Sequence, residues 1–390
     1  MKQSRQDVLV IGSGVVSPWG AGVDALARGL YDGRIATTRR EFPGAGNLSV
    51  GACDFIGGVR GEDRSVTLLR TALEPLLPML QRMNAHVPCE RRGVCVGVSK
   101  PGLMLYLENP DSAADRFPAI LPDFVARHAA SIIDARGPLQ GLSAACATSL
   151  QNVIRAAEWI AYGDADYAIA GASDAALTDL YLSSLVQLGA MTREECRPFD
   201  ARHAGFTAGE GAGVVVLATA DAAERIGAKP LARISGWAFG AEAFHATACD
   251  RTGLSTARVL RKTLADANVT AEGIDLLGVH ATGTPLSDLA DANALRILYG
   301  DHAQPPVLSI KGAIGHLMGA CGSAEIAATL CCLYDQKIPV VPGFEKAAAG
   351  CEFLSIPRET KAGRVDRVLK WNAGFGGQIA ACVIERVLTE

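Results

Sequence analysis

The chain has 390 residues, a formal net charge of −4, and 49% apolar against 20% charged residues, the balance of a globular protein with a large core. With no global basic field, the surface as a whole is unsuited to nucleic acid or an anionic membrane. No apolar run reaches the roughly 18–20 residues that span a bilayer. Met1-Lys2-Gln3-Ser4-Arg5 leads into a strand-like stretch without a signal-peptide core, so the expected location is cytoplasmic.

The apolar pattern predicts strands at Val8–Gly12, Gly93–Val98, Asp166–Gly171, Gly213–Leu217, Leu231–Gly236, Ile274–His280, Val307–Ile310, Val368–Asn372 and Ile379–Glu385. Helical spacing lies between them at Ser65–Leu80, Ser149–Tyr162, Ser255–Ala267 and Ser323–Tyr334. Strands alternating with helices define an α/β fold. After the first strand, Gly12-Ser13-Gly14-Val15-Val16-Ser17 superficially resembles a dinucleotide loop. It lacks a third glycine, Pro18 follows at once, and no acidic residue closes a second strand about 20 residues later, so it reads as a tight turn. A weak internal duplication sets a strand, small residues and an apolar helix around residue 146 against the same succession around residue 321. The division falls near Gly227–Pro230, giving halves 1–228 and 229–390, whose two central helix starts meet at a pseudo-twofold.

The 11 cysteines are irregularly spaced, with no Cys-x-x-Cys pair, as expected of thiols in a reducing compartment. Cys331 and Cys332 read as small buried hydrophobes. Cys146 differs. Small residues flank it in Ser143-Ala144-Ala145-Cys146-Ala147-Thr148, and a helix follows. The positive end of that helix favours the reactive thiolate, although a buried structural cysteine is the other reading. His280 ends an apolar strand in His280-Ala281-Thr282-Gly283-Thr284-Pro285, at the strand end where α/β sheets bind ligands. A second histidine, His316, lies among glycines between Lys311 and Glu325. A lysine and a glutamate in so apolar a stretch need each other's charge. Finally, Asn372-Ala373-Gly374-Phe375-Gly376-Gly377 breaks two strands with a glycine loop, read either as a plain hairpin or as an N–H donor beside an aromatic gate.

These segments in this order, with Arg197-Pro198-Phe199-Asp200, Gly205-Phe206-Thr207-Ala208-Gly209-Glu210-Gly211-Ala212-Gly213 and Gly12–Gly20 near the N-terminus, resemble the beta-ketoacyl-acyl-carrier-protein synthases, the elongating Cys-His-His branch of the thiolase-like superfamily. The likeness extends over essentially the whole chain. It implies a thiolase-like fold of duplicated βαβαβαββ halves in a layered α-β-α-β-α sandwich. The implied reaction is decarboxylative Claisen condensation of a Cys146-bound acyl group with malonyl-acyl carrier protein, in fatty acid or polyketide-type (for example aryl polyene) biosynthesis. The resemblance gives Cys146 as nucleophile, its N–H and that of Phe375 as oxyanion hole, and His280 and His316 as donors to the malonyl thioester. Lys311 and Glu325 become supports, Phe375 a gate, and Thr282, Thr284, Gly376 and Gly377 substrate-channel residues. It implies no metal and no bound cofactor, the phosphopantetheine arm being carried by the carrier protein. Partners would be acyl and malonyl carrier protein and a second ketosynthase chain, identical or related, in a dimer.

The chain departs from the family pattern at Ala281, at Ser287-Asp288, at Trp371-Asn372-Ala373 and at Ser99-Lys100-Pro101-Gly102, all expected to border the substrate channels. Three alternatives stand beside the synthase. One is an acyltransferase that does not extend the chain. Another is a chain-length partner subunit of a heterodimer, against which the intact Cys146, His280 and His316 argue. The third is a biosynthetic thiolase with Cys321 as its second cysteine, against which Lys311, His316 and Glu325 argue.

Overall fold

A computed structural model describes residues 5–59, 61–108, 117–300 and 302–387. Ten strands carry the architecture: β1 Val8–Ser17, β2 Arg92–Gly97, β3 Leu139–Gln140, β4 Tyr167–Asp174 and β5 Gly211–Ala218, then β6 Ala232–Ala241, β7 Leu276–Gly278, β8 Val307–Leu308, β9 Arg367–Gly374 and β10 Gln378–Glu385. They run in the order β8-β7-β9-β10-β6-β1-β5-β4-β2-β3. In each set of five the spatial order is third, second, fourth, fifth, first. The second strand pairs parallel with the third and fourth, and the fifth pairs antiparallel with the fourth and first. The two sheets join only through a short pairing of β1 with β6, from Val8↔Ile234 to Val10↔Ala232.

Five layers result. The helix Arg64–Leu73 covers the outer face of the first sheet, and Leu254–Ala267, backed by Pro285–Tyr299, covers the outer face of the second. Between the sheets lie Thr148–Tyr162 and Cys321–Asp335, packed on each other and touching both sheets. Their starts are tied by the Ser323 N–H, which donates to the Ser149 hydroxyl at 3.0 Å. Strands covered on both faces need no polar alternation, and every residue of β4 and β5 is buried.

Two local expectations fail for clear reasons. Gly12–Ser17 is no turn, because β1 continues through Ser17. Its glycines serve close packing: a Cβ on Gly14 would lie 1.9 Å from the Ala72 carbonyl oxygen. The helix expected over Ser65–Leu80 is broken into Arg64–Leu73, a 3₁₀ turn Glu74–Leu76 and Leu77–His86. Pro75 and Pro78 bring no N–H to continue the ladder.

Candidate active site

Cys146 stands where a loop enters the central helix Thr148–Tyr162, two residues before its first turn. The Thr148 hydroxyl clamps that loop, accepting from the Ala144 N–H at 2.8 Å and donating to the Ala145 carbonyl at 2.7 Å. Ala145 is left-handed, with φ 49°. Ala281 (φ 36°) after His280 and Met318 (φ 50°) after His316 are left-handed too. Such conformations cost roughly 1–2 kcal/mol for a residue with a Cβ and collect where packing fixes a functional geometry. Cys146, His280, His316, Thr282, Thr284 and Phe375 all line one cavity of about 630 Å³.

The glycine loop closes over Cys146. A Cβ on Gly374 would lie 2.7 Å from the Ala144 oxygen and 3.1 Å from the Cys146 nitrogen, so only glycine lets β9 end this close. Among the described residues, neither the Cys146 N–H nor the Phe375 N–H has an acceptor. Two free backbone donors beside a thiol are the groups from which an oxyanion hole can be built. Phe375 is 39% exposed at the cavity mouth. Gly376 and Gly377 instead shape the turn to β10: the Gly376 N–H donates to Ala246 O at 2.7 Å and the Gly377 N–H to Gly374 O at 3.0 Å. Neither lines the cavity. The Thr282 and Thr284 hydroxyls are 3.0 Å apart.

The imidazoles of His280 and His316 face each other nearly perpendicularly, 5.9 Å between centroids. Burial and the Lys311 charge drive both away from protonation: His280 falls well below its ordinary value and His316 to about 3. His316 Nδ1 lies 2.8 Å from the Cys321 sulfur, and burial pushes that thiol far up. A neutral S–H therefore donates to Nδ1, which leaves the proton on Nε2. That Nε2 is buried and has no partner among the described residues. His280 Nδ1 faces the Asn372 Nδ2 donor at 3.4 Å, which by the same logic leaves Nε2–H on His280. Two neutral N–H donors thus converge beside Cys146.

Burial also pushes the Cys146 thiol up to about 11, with Lys100 and Lys311 pulling the other way. The helix start alone does not yield a resting thiolate: loss of hydration outweighs it. Cys321 does not line the cavity; its partner is His316.

Behind the histidines lies a buried charge cluster. Glu325 is ion-paired with Lys311 and, at 2.8 Å, with Lys370, and accepts from Asn372 Nδ2 at 2.9 Å. Lys311 Nζ also donates to the His280 carbonyl. Two lysines hold Glu325 ionised, down at about 2. Asp291 accepts from the Ala281 N–H at 2.8 Å and the Trp371 indole at 2.9 Å. Of the departures, Ser99, Lys100, Ser287 and Ala373 border the cavity. Ala281, Asp288, Trp371 and Asn372 are buried and do not line it, contrary to expectation, Trp371 and Asn372 because β9 is covered on both faces. Lys370 and Asp291 are residues that sequence reasoning did not single out, and Asn372 entered it only as a loop boundary and a departure, not as a partner of Glu325 and His280. A lysine or asparagine inside an otherwise apolar strand was the available signal.

Two layered halves meeting at a cysteine on a central helix start, with two neutral histidines beside it, define a condensing enzyme of the thiolase-like superfamily. A family model described as beta-ketoacyl synthase, N-terminal domain, matches residues 63–223, and its C-terminal counterpart matches 231–345. The chain belongs to the beta-ketoacyl synthase family. It is 30% identical to a putative polyketide beta-ketoacyl synthase 1 of Streptomyces halstedii, over 97% of each chain. It is 29% identical to 3-oxoacyl-[acyl-carrier-protein] synthase 2 of Coxiella burnetii, over 98% of this chain and 99% of that one. Among solved structures, the ishigamide ketosynthase/chain length factor superposes with TM-score 0.87 at 25% identity, covering 99% of this chain and all of that one. A type II polyketide ketosynthase in complex with its acyl-carrier protein gives 0.90 at 24%, with the same coverage. No helix among the described residues is long and apolar enough to cross a membrane.

Proposed function

We propose that the protein is a beta-ketoacyl-[acyl-carrier-protein] synthase that condenses a Cys146-bound acyl group with malonyl-acyl carrier protein. The observation that carries this reading is the convergence of the Cys146 thiol, two unpaired backbone N–H groups and two neutral imidazoles on one cavity.

In the first step the Cys146 sulfur attacks the acyl thioester and the carrier leaves as a thiol, taking up the Cys146 proton. The Cys146 and Phe375 N–H groups donate to the tetrahedral oxyanion. In the second, the malonyl carbon–carboxylate bond breaks and releases carbon dioxide. The electron pair becomes an enolate, whose oxygen accepts from His280 and His316 Nε2–H. That enolate forms the new carbon–carbon bond at the acyl carbon. The Cys146–acyl bond breaks, and the sulfur regains a proton from solvent. Neutral imidazoles suit this role, since a donor is needed and no proton has to be removed. Lys311, Glu325 and Asn372 hold His280 in place, and Phe375 gates the mouth.

No cofactor need be bound: the phosphopantetheine arm arrives with the carrier protein and passes Thr282 and Thr284. The relatives named for carrier-protein and chain-length-factor complexes support a carrier-protein partner and a second ketosynthase chain in a dimer. The intact triad supports the synthase over the chain-length partner, and the histidine pair supports extension over simple acyl transfer. The halves 1–228 and 229–390 contribute the nucleophile and the histidines respectively. Incubation with acyl-carrier protein alone tests the first step: a mass increment of one acyl group on the Cys146 peptide is expected, and its absence across a panel of chain lengths rejects the reading.

A further inference from the structure

The cavity that Cys146 lines has an apolar part made by Leu185, Leu188, Phe206 and Met318, and Glu242 is the carboxylate among its described lining residues. One cation interrupts the apolar part. Among the described lining residues, Lys100 is the only lysine or arginine, and it stands in the segment that departs from the family pattern.

Its surroundings are built. Lys100 Nζ donates to the Ser99 hydroxyl at 2.6 Å and lies 4.2 Å above the Tyr181 ring, a cation–π contact. The Ser99 hydroxyl in turn donates to Asp174, whose carboxylate is fully buried and also accepts from the N–H groups of Ser99 (3.1 Å) and Gly319 (2.8 Å). Asp174 therefore balances the ammonium through one intervening hydroxyl. No carboxylate among the described residues is within ion-pair distance of Lys100. An ammonium has three donors; Ser99 and the Tyr181 face engage two, and the third has no acceptor among the described residues. The charge itself is compensated: burial disfavours the ammonium, but Asp174 and Tyr181 hold its pKa above the ordinary value, so what the site leaves open is an acceptor for the remaining donor.

We propose that Lys100, with Ser99 and Tyr181, forms a subsite for an oxygen acceptor on the acyl group carried by Cys146, so that the cavity selects oxygenated acyl chains over saturated ones. The acceptor is a keto oxygen or a carboxylate of the chain, since both present the same lone pairs to an ammonium. The inference rests on the synthase reading, because it takes Cys146 as the acyl carrier. Its field also reaches the nucleophile: Lys100 is the first of the charges that lower the Cys146 thiol.

Three four-carbon groups separate the possibilities: butyryl, acetoacetyl and succinyl thioesters on carrier protein. The rate of Cys146 acylation is read by mass spectrometry for wild type, Lys100→Met and Lys100→Arg. A charge-assisted hydrogen bond predicts that wild type prefers at least one oxygenated group over butyryl by about tenfold or more. Lys100→Met brings that preference to within about twofold, on top of a slowing common to all three thioesters from the field lost at Cys146, and Lys100→Arg retains much of it. A preference for acetoacetyl names the keto oxygen, and one for succinyl the carboxylate. Equal losses on all three thioesters in Lys100→Met, or a wild-type preference for butyryl, overturn the subsite. Calorimetric binding of the same three S-acyl-pantetheines to Cys146→Ala and to the Cys146→Ala, Lys100→Met double variant keeps the two readings apart. No acylation combined with a Lys100-dependent preference in binding would retain the subsite and reject the synthase. Acylation without any such preference would do the reverse.

Discussion

Glu325 is the single anion between two buried lysines, so replacing it by glutamine removes charge while keeping shape. Lys311, Lys370 and Glu325 together carry a net charge of +1; Glu325→Gln raises this to +2 with Lys311 and Lys370 each no more than 1% exposed. Breaking a buried ion pair from one side costs roughly 3–5 kcal/mol. A 390-residue chain has an unfolding entropy near 0.8 kcal/mol per kelvin at about 2.1 cal/mol/K per residue, so the midpoint falls by about 4–6 °C. Lys370→Met is the informative contrast. It lowers the cluster to neutrality, which offsets the loss of the Lys370 hydrogen bonds to the Gly278 and Trp371 carbonyls, and the midpoint should stay within about 2 °C of wild type. Differential scanning calorimetry at neutral pH reads both. A Glu325→Gln midpoint equal to wild type, or a Lys370→Met loss as large as that of Glu325→Gln, would refute the charge accounting.

Gly374→Ala places a methyl against the Ala144 oxygen and the Cys146 nitrogen; acylation of Cys146 should drop by about a hundredfold with the fold retained by circular dichroism, and a near-normal rate would deny the close approach. Acid stability follows from His316. Its folded value of about 3 lies below its ordinary 6.5, so the unfolded chain binds the extra proton and stability falls as pH drops from 6.5 toward 3. His280, also lowered, acts in the same direction, while Asp291, raised to about 6, opposes it. His316→Asn should flatten the decline between pH 6.5 and 4 in urea titrations, and an unchanged slope would contradict the neutral imidazole. Alkylation of Cys146 by iodoacetamide should keep accelerating toward pH 11, where a plateau near pH 7 would signal a resting thiolate.

All nine strands expected from the apolar pattern are present, because strands buried on both faces announce themselves as continuous apolar runs. The strand Leu139–Gln140 is too short to leave a period. The helix Pro285–Tyr299 also went unread, although Thr284 capping the Ser287 N–H at 3.3 Å with Pro285 behind it is a sequence-level start signal. Small residues and glycines around Cys146, His280 and His316 mark them in the sequence, and the structure brings the three to one cavity. Lys370 was not: in a strand with one wet face, a lysine between Leu369 and Trp371 points to solvent, and only the layering of helices on both sheet faces turns it toward Glu325. Asp291, and the partners of Asn372, escaped for the same reason. Their roles depend on strands and helices far apart in the chain, which local patterns do not bring together.

The central claim is carbon–carbon bond formation through Cys146, and one measurement addresses it most directly. Acyl-carrier protein and carbon-13-labelled malonyl-carrier protein are mixed with wild type or Cys146→Ala, and both carrier-bound product and released carbon dioxide are followed by mass spectrometry. A beta-ketoacyl product two labelled carbons longer, with one labelled carbon dioxide per product, is expected from wild type only. Acylated Cys146 without an extended product, or extension that survives in Cys146→Ala, would contradict it.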